Sequence, residues 1–234
     1  MKVLVTGGVG FVGTNLIKRL LKEGHEVFSF DNYSTGKKEN EQEGCTYIDI
    51  DVNDLEHMDK KMFESVDVIF HMAALARIQP SLKRPQESIN ANVNGTLNIL
   101  ELARKNNTPV IYAGSSSFHH GLYGSPYAWS KHAGEQLCKL YSNVYDLPTA
   151  ICRFYNVYGP HQLESGTYAT VLGIFEKQYR EGKPLTVTGD GEQRRDFTHI
   201  DDIVDGIVKC HEAMHGAVDM KYTGETFELG RGVN

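Results

Sequence analysis

Residues 3–31, VLVTGGVGFVGTNLIKRLLKEGHEVFSFD, decide the fold. A short apolar run ends in glycines, a helical apolar spacing follows over 11–21, and a second apolar run ends at Asp31. Short continuous apolar runs are typical of strands that are buried on both faces of a parallel sheet. The stretch therefore predicts a strand–helix–strand unit.

The loop between the first strand and the helix, TGGVGFVG, fits a dinucleotide-binding glycine pattern in two registers, starting at Gly7 or at Gly8 and continuing with Gly10 and Gly13. Glycines there let the backbone turn tightly and approach a pyrophosphate, whose charge meets the amides of the helix N-terminus. Asp31 follows about 20 residues later, where a carboxylate accepts hydrogen bonds from a ribose. Because a carboxylate repels a 2′-phosphate, the pattern predicts NAD rather than NADP.

Strands and helices alternate along most of the chain. This alternation predicts an α/β fold with a doubly wound parallel sheet, in which ligands bind at the carboxyl ends of the strands. The further predicted strands are 46–51, 66–74, 108–117 and 147–159, and the long helices between them are 86–105 and 126–145.

The organisation changes after Pro160, where segments shorten and glycines become frequent. Helices are predicted near 168–181 and 201–214, and the final FELGRGVN reads as a strand and the start of its loop. We therefore expect a cofactor domain over 1–160, whose sheet continues into later segments, and a small, apparently truncated substrate lobe over 161–234.

The amino-acid composition limits the kinds of partner that the chain is expected to bind. The net charge is −6 and no long basic run occurs, which does not indicate a nucleic-acid partner. No apolar run reaches membrane-spanning length, and four widely spaced cysteines without a CxxC pair favour reduced thiols in the cytoplasm. His119 and His120 are adjacent without further ligands at metal spacing, so no metal site is predicted.

Residues 115–131, SSSFHHGLYGSPYAWSK, contain a candidate proton-transfer unit. Tyr127 and Lys131 are four residues apart in a predicted helix and therefore share one face. A phenol titrates near pH 10, but a neighbouring ammonium and a positive nicotinamide ring favour phenolate, which is a usable base. A serine at the end of the fifth strand is placed to hold a substrate hydroxyl.

Nine motifs occur in order over nearly the whole chain: TGGVGFVG, DNYSTGK, IDV, HMAA, NVNGTLNILE, SSS, YAWSK, RFYNVYGP and GDGEQRRDFTHIDD. In these the chain resembles the extended short-chain dehydrogenase/reductase family, in the nucleotide-sugar epimerase and dehydratase group that includes UDP-galactose (UDP-glucose) 4-epimerase. The resemblance implies a Rossmann-type cofactor domain, NAD, and a nucleotide-sugar substrate, most often a UDP-sugar. It also implies a homodimer in which the helices 86–105 and 127–145 pair with their copies.

The resemblance assigns roles residue by residue. Ser117, Tyr127 and Lys131 would be catalytic, and Ser117, Asn156 and Arg195 would contact the sugar nucleotide. The remaining matched positions would line the cofactor site: Gly7, Gly10, Phe11, Val12, Gly13, Asp31, Asn32, Ser34, Thr35, Gly36, Lys37, Asp51, Val52, Met72, Ala73, Ala74, Ala76, Asn92, Ser115, Tyr127, Lys131 and Phe154.

Two features depart from the family pattern. Residues 118–126 make a shorter loop before Tyr127 than extended members usually carry, so the pocket is expected to be open or shaped by His119 and His120. The family's substrate lobe also normally continues well past Asn234.

Four functions stay open at this point. A C4 epimerase would oxidise the sugar to a transient 4-keto form and reduce it on the other face. A 4,6-dehydratase would carry an Asp and a Glu directly after the serine, where Phe118 and His119 stand. A GDP-fucose-synthase-like epimerase/reductase would use NADP and a cysteine after the serine. The fourth candidate is a catalytically weak protein that binds NAD or a sugar nucleotide.

Overall fold

A computed structural model of the chain describes residues 1–55, 65–216 and 224–232. Its strands are β1 (Lys2–Thr6), β2 (Glu26–Asp31), β3 (Cys45–Asp49), β4 (Val68–His71), β5 (Val110–Ser115), β6 (Thr149–Phe154), β7 (Val157–Tyr158), β8 (Thr198–His199) and β9 (Glu225–Leu229). Its α-helices are α1 (Phe11–Lys22), α2 (Ile78–Lys83), α3 (Pro85–Ile89), α4 (Gly95–Asn106), α5 (Pro126–Tyr145), α6 (Val171–Arg180) and α7 (Ile200–Gly216).

Seven parallel strands form the central sheet in the order β3-β2-β1-β4-β5-β6-β9. The strand order reverses between β1 and β4, which is where a doubly wound sheet opens its ligand crevice. The predicted α/β fold and doubly wound parallel sheet are therefore confirmed, and all carboxyl ends meet at one edge.

Alternating side chains of β1 supply two apolar layers, one on each face of the sheet. Val3 and Val5 pack in the layer that contains α1 and α7, whereas Leu4 packs in the layer that contains α4 and part of α5. All three side chains are fully buried. This double burial explains why the strands read as continuous apolar runs.

The predicted strand 147–159 is wrong as a single element. β6 ends at Phe154, and β7 pairs with β8 in a separate two-stranded sheet. Asn156 makes the break, because its side-chain amide donates to the Asp196 carbonyl at 2.9 Å and its carbonyl accepts from Thr198 N at 3.3 Å. The chain thus leaves the main sheet between the two strands.

Two other predicted elements are interrupted. The strand 108–117 ends at Ser115, whose hydroxyl accepts from Ser117 N at 3.2 Å and caps a 3₁₀ turn over Ser116–His120. The helix 86–105 is divided by a π turn over Asn90–Asn94, a rare conformation that is often found at functional sites.

The C-terminal segment returns to the sheet. β9 pairs in parallel with β6, from Ala150 with Glu225 to Phe154 with Leu229, while the last two residues of the predicted FELGRGVN segment lie outside the described residues. Among the described helices none has the length and apolarity needed to cross a bilayer. The thiols of Cys45, Cys138, Cys152 and Cys210 are free.

Candidate active site

The predicted cofactor residues lie at the carboxyl ends of neighbouring strands. Segments 7–13, 32–37, 51–52 and 72–76 follow β1, β2, β3 and β4, while Asp31, Ser115 and Phe154 end β2, β5 and β6. The sheet therefore brings these parts of the sequence to one edge, where a ligand can contact several of them.

At Gly7 and Gly13 the neighbouring backbone leaves no room for a side chain. Gly7 has φ +73°, and a Cβ on it would lie 2.8 Å from Ala73 Cα. A Cβ on Gly13 would lie 2.1 Å from the Gly7 carbonyl oxygen. Gly10, at the N-cap of α1, has no side chain to cap the helix, so the first amides of α1 face the crevice unblocked. This arrangement fits a pyrophosphate at the helix N-terminus.

Asp31 lies at the mouth of this loop. Its carboxylate accepts from Val9 N at 3.0 Å and from Tyr33 N at 2.8 Å. Burial raises the Asp31 pKa, and these two hydrogen bonds oppose the rise. Asn32, the next residue, donates to Asp51 at 2.7 Å, which connects the ends of β2 and β3. The polar groups predicted to hold the adenosine half of the cofactor are therefore gathered in one place.

Gly13→Ala is expected to lower NAD affinity about 10- to 100-fold. The new methyl group forces the Gly7 peptide away, and such backbone strain costs about 1–3 kcal/mol. Titration calorimetry with NAD measures the effect. Gly124→Ala is the matched control, because a Cβ there meets nothing within 4 Å. Equal affinity in both variants would contradict the assignment of the loop to the cofactor.

The phenol of Tyr127 contacts Ser115 rather than Ser117. Tyr127 Oη donates to Ser115 Oγ at 3.3 Å, at the carboxyl end of β5. Ser117 is 8% exposed, and its hydroxyl has no hydrogen-bond partner in the described structure. A buried unpaired hydroxyl costs about 1–3 kcal/mol, so a ligand group that paired with Ser117 would be favoured. The two serines thus offer one contact to the phenol and one free group.

Lys131 is buried one helical turn after Tyr127 on α5. Lys131 is 3% exposed, and its ammonium lies 4.2 Å from the centre of the Tyr112 ring. Burial lowers the Lys131 pKa to about 8, although Glu135 opposes the shift. Burial, and then the charge of Lys131, lowers the His71 pKa to about 3, so this imidazole is neutral at physiological pH.

Lys131→Met should reveal the cost of this burial. Between the folded pKa of about 8 and the ordinary 10.5, the unfolded chain keeps a proton that the folded chain has released. Stability therefore rises with pH in this window, by about 3 kcal/mol for the full shift. The free energy of unfolding of the wild type minus that of the variant, measured in urea, should rise accordingly. A difference that stays constant with pH would contradict the lowered pKa of Lys131 in the folded protein.

Burial raises the Tyr127 pKa, and two neighbours oppose the rise: the hydrogen bond with Ser115 and the charge of Arg77. The sequence assigned the opposing charge to Lys131, but that ammonium packs on the Tyr112 ring. Arg77 was not singled out from the sequence, because 50 residues separate it from Tyr127 and no local motif joins them.

The Asn92 side chain links the segment after β4 to helix α5. Its side chain accepts from Leu75 N at 2.8 Å, donates to the Leu75 carbonyl at 3.2 Å and donates to Ser130 Oγ at 2.9 Å. Asn92 lies in the π turn and is 1% exposed. The sequence predicts it as a cofactor contact, whereas its amide is bonded to the protein at both ends.

The short loop after Ser117 packs on a buried ion pair. Arg153 donates to both carboxylate oxygens of Glu135, at 3.0 and 2.7 Å. The Phe118 ring lies 3.8 Å from the guanidinium carbon of Arg153, and His119 Nε2 lies 3.0 Å from Glu228, which also bonds Arg153. Phe118 and His119 thus contact the cluster of Glu135, Arg153 and Glu228.

The remaining predicted residues lie on loops. His120 is exposed, and within residues 1–55, 65–216 and 224–232 no three metal-binding side chains cluster. Arg195 is exposed between α6 and β8, and its guanidinium donates to the Arg194 carbonyl at 2.6 Å. Asn156 holds the Asp196 carbonyl, as described for the break after β6.

Comparison with known proteins agrees with this geometry. A sequence model described as the NAD dependent epimerase/dehydratase family matches residues 3–230. A putative UDP-glucose 4-epimerase of Methanocaldococcus jannaschii is 33% identical over 86% of this chain and 70% of its own length. A UDP-N-acetyl-alpha-D-glucosaminuronate decarboxylase of Bacillus cytotoxicus is 34% identical over 98% of this chain and 74% of its own length.

A solved structure shares the fold. It is a UDP-glucuronic acid 4-epimerase of Bacillus cereus, in complex with NAD and a fluorinated UDP-glucuronic acid. The two chains superpose with a TM-score of 0.84 at 31% identity, over 98% of this chain and 77% of the other.

Proposed function

Because the chain belongs to the NAD-dependent epimerase/dehydratase family and NAD is therefore its cofactor, we propose that it epimerises a nucleotide sugar at C4 through a transient 4-keto sugar. One observation carries the proposal: the Tyr127 phenol, bonded to Ser115, lies at the same edge of the sheet as the glycine loop. The relatives that act on UDP-sugars support a UDP-sugar as the substrate.

Gly7, Gly10 and Gly13 would hold NAD at the start of α1, where it would supply a reversible hydride acceptor for the sugar carbon. Tyr127 takes the proton from the C4 hydroxyl as the 4-keto sugar forms, and gives it back when the opposite configuration forms. Ser115 orients the phenol, and the free Ser117 hydroxyl is available to the same sugar oxygen. Lys131 is buried on the same helix, with its ammonium over the Tyr112 ring.

The local chemistry disfavours the other reactions. A dehydratase needs acids after the serine, and here Phe118 covers Arg153 while His119 bonds Glu228. Asp31 opposes the 2′-phosphate of NADP, which an epimerase/reductase would use. One relative is named a decarboxylase, so decarboxylation of a UDP-sugar acid is the alternative that products must exclude.

The proposal extends to assembly. Helix α5 exposes Leu140, Val144 and Tyr145, which are 50%, 58% and 46% accessible. A stripe of this kind supports a homodimer in which α4 and α5 pair with their copies. The division near Pro160 into a cofactor domain over 1–160 and a substrate lobe over 161–234 is part of the same proposal. Light scattering of the purified chain tests the dimer.

A proton NMR time course of the chain with NAD and a panel of UDP-, dTDP- and GDP-sugars tests the reaction. The expected product is the C4-inverted sugar without net reduction of NAD. Loss of a C6 carboxylate would establish a decarboxylase, and a 4-keto-6-deoxy product would establish a dehydratase. If the folded chain binds NAD but converts none of the sugars, the result would support the catalytically weak protein that binds NAD or a sugar nucleotide.

A further inference from the structure

The segment that follows β4 is fixed to the start of α5 at two points. Leu75 is held by Asn92, which also bonds Ser130. Ser81 accepts from the backbone N of Tyr127 at 3.1 Å. Arg77 lies between these two anchors in the sequence, four residues before Ser81, whose hydroxyl bonds the first turn of α5 at Tyr127.

Arg77 is itself anchored. Its Nε donates to the Tyr168 carbonyl at 2.9 Å, and it lines a small cavity together with Ser81 and Tyr168. Arg77 is half-buried, and none of the ion pairs found among the described residues includes it. A cation removed from water in this way is stabilised by a nearby negative charge. Ionised Tyr127 supplies such a charge.

Few other polar groups face the phenol. Ser115 on β5 accepts its hydrogen bond, and Tyr112, also on β5, has a buried hydroxyl that donates to the Lys131 carbonyl at 3.2 Å. Lys131, on the helix of Tyr127, places its ammonium over the Tyr112 ring. Among the described residues, Arg77 is the cation outside α5 whose charge opposes the rise in the Tyr127 pKa.

We propose that Arg77 is a positioning residue for Tyr127, and that its guanidinium stabilises the phenolate that takes the substrate proton. The inference rests on the proposed function. When the C4 O–H bond breaks, the proton moves to the Tyr127 oxygen and the charge beside Arg77 disappears. Arg77 therefore stabilises the state before proton transfer and sets the pH above which the base is available.

Arg77→Gln tests this inference, because glutamine can still donate to the Tyr168 carbonyl but carries no charge. Removing an opposite charge at short range moves a titration by about one pH unit or more. The acid limb of kcat/KM against pH should therefore move up by about one unit, with about a tenfold loss below it. Arg77→Lys should restore the wild-type limb.

Arg84→Gln is the matched control. Arg84 lines the same cavity, but it is exposed and paired with Glu87 at 2.9 Å. Its pH profile should match the wild type. A folded Arg77→Gln variant with an unmoved acid limb overturns the proposal. If Arg77→Gln does not fold, Arg77→Lys is the deciding variant, because it keeps the positive charge. A shifted acid limb in Arg77→Lys would show that the charge is not the cause.

A second readout does not depend on turnover. The near-ultraviolet absorbance of tyrosinate, titrated with NAD bound and taken as the difference from the matching Tyr127→Phe protein, reports Tyr127 alone. Arg77→Gln should move this titration to higher pH by about one unit. If no sugar is converted but the titration moves, the proposed reaction fails and the role of Arg77 stands. If sugars are converted and neither profile moves, Arg77 has no such role.

Discussion

Replacing Tyr127 by phenylalanine is expected to lower kcat for sugar interconversion about 10²- to 10⁴-fold. The change removes one oxygen, and with it the proton acceptor and donor at C4, and general acid–base groups contribute rate factors of this size. The main chain at residue 127 keeps its place, because its N–H remains bonded to Ser81. NAD affinity should therefore change little. Initial rates from NMR and calorimetry with NAD measure both quantities.

Tyr123→Phe is the control for this experiment. Tyr123 lies four residues earlier, is 91% exposed, and loses the same oxygen. It should keep wild-type turnover. A Tyr127→Phe protein that turns over at the wild-type rate would exclude the phenol as the base and favour the binding-protein alternative.

Replacing Arg153 by methionine is expected to lower the free energy of unfolding by about 3–5 kcal/mol. Glu135, whose side chain is 1% exposed, would then stay buried without its cation, and breaking a buried pair from one side costs about this much. The Phe118 ring would also lose the guanidinium on which it packs. Urea unfolding of the two proteins measures the difference.

A surface pair provides the comparison. Lys209 and Asp205 lie 2.6 Å apart on α7 with side chains 69% and 40% exposed, so Lys209→Met should cost about 0.5 kcal/mol or less. Replacing both Arg153 and Glu135 by apolar residues should cost less than Arg153→Met alone. Equal small losses in all three proteins would mean that the buried pair contributes nothing.

The parts of the fold that the sequence predicts are those set by local pattern. Apolar runs with two buried faces predict the strands, and the i,i+4 spacing predicts that Tyr127 and Lys131 share a helix. The choice between Ser115 and Ser117 depended on where β5 ends, and that end is set by a side-chain cap over two residues. A cap of this kind has no apolar periodicity, so the sequence pattern does not predict where the strand ends.

The parts that could not be predicted depend on distant contacts. The segment of Arg77 is joined to α5 through Asn92, which lies 17 residues from Leu75 and also bonds Ser130, and through Ser81, which lies 46 residues from Tyr127. Asn92 is predicted as a cofactor contact from its motif, and the sequence does not show that its amide bonds Leu75 and Ser130. One sequence read alone contains no signal for such pairings.

The position of β9 at the edge of the sheet bears on how the chain folds. Roughly 70 residues separate β6 from the strand that covers it, and closing so long a loop has an entropic cost that is recovered only when the pairing forms. During synthesis the first six strands emerge before β9, which leaves the amides and carbonyls of β6 open to other chains. We therefore expect self-association to begin at β6 in nascent or partly unfolded protein.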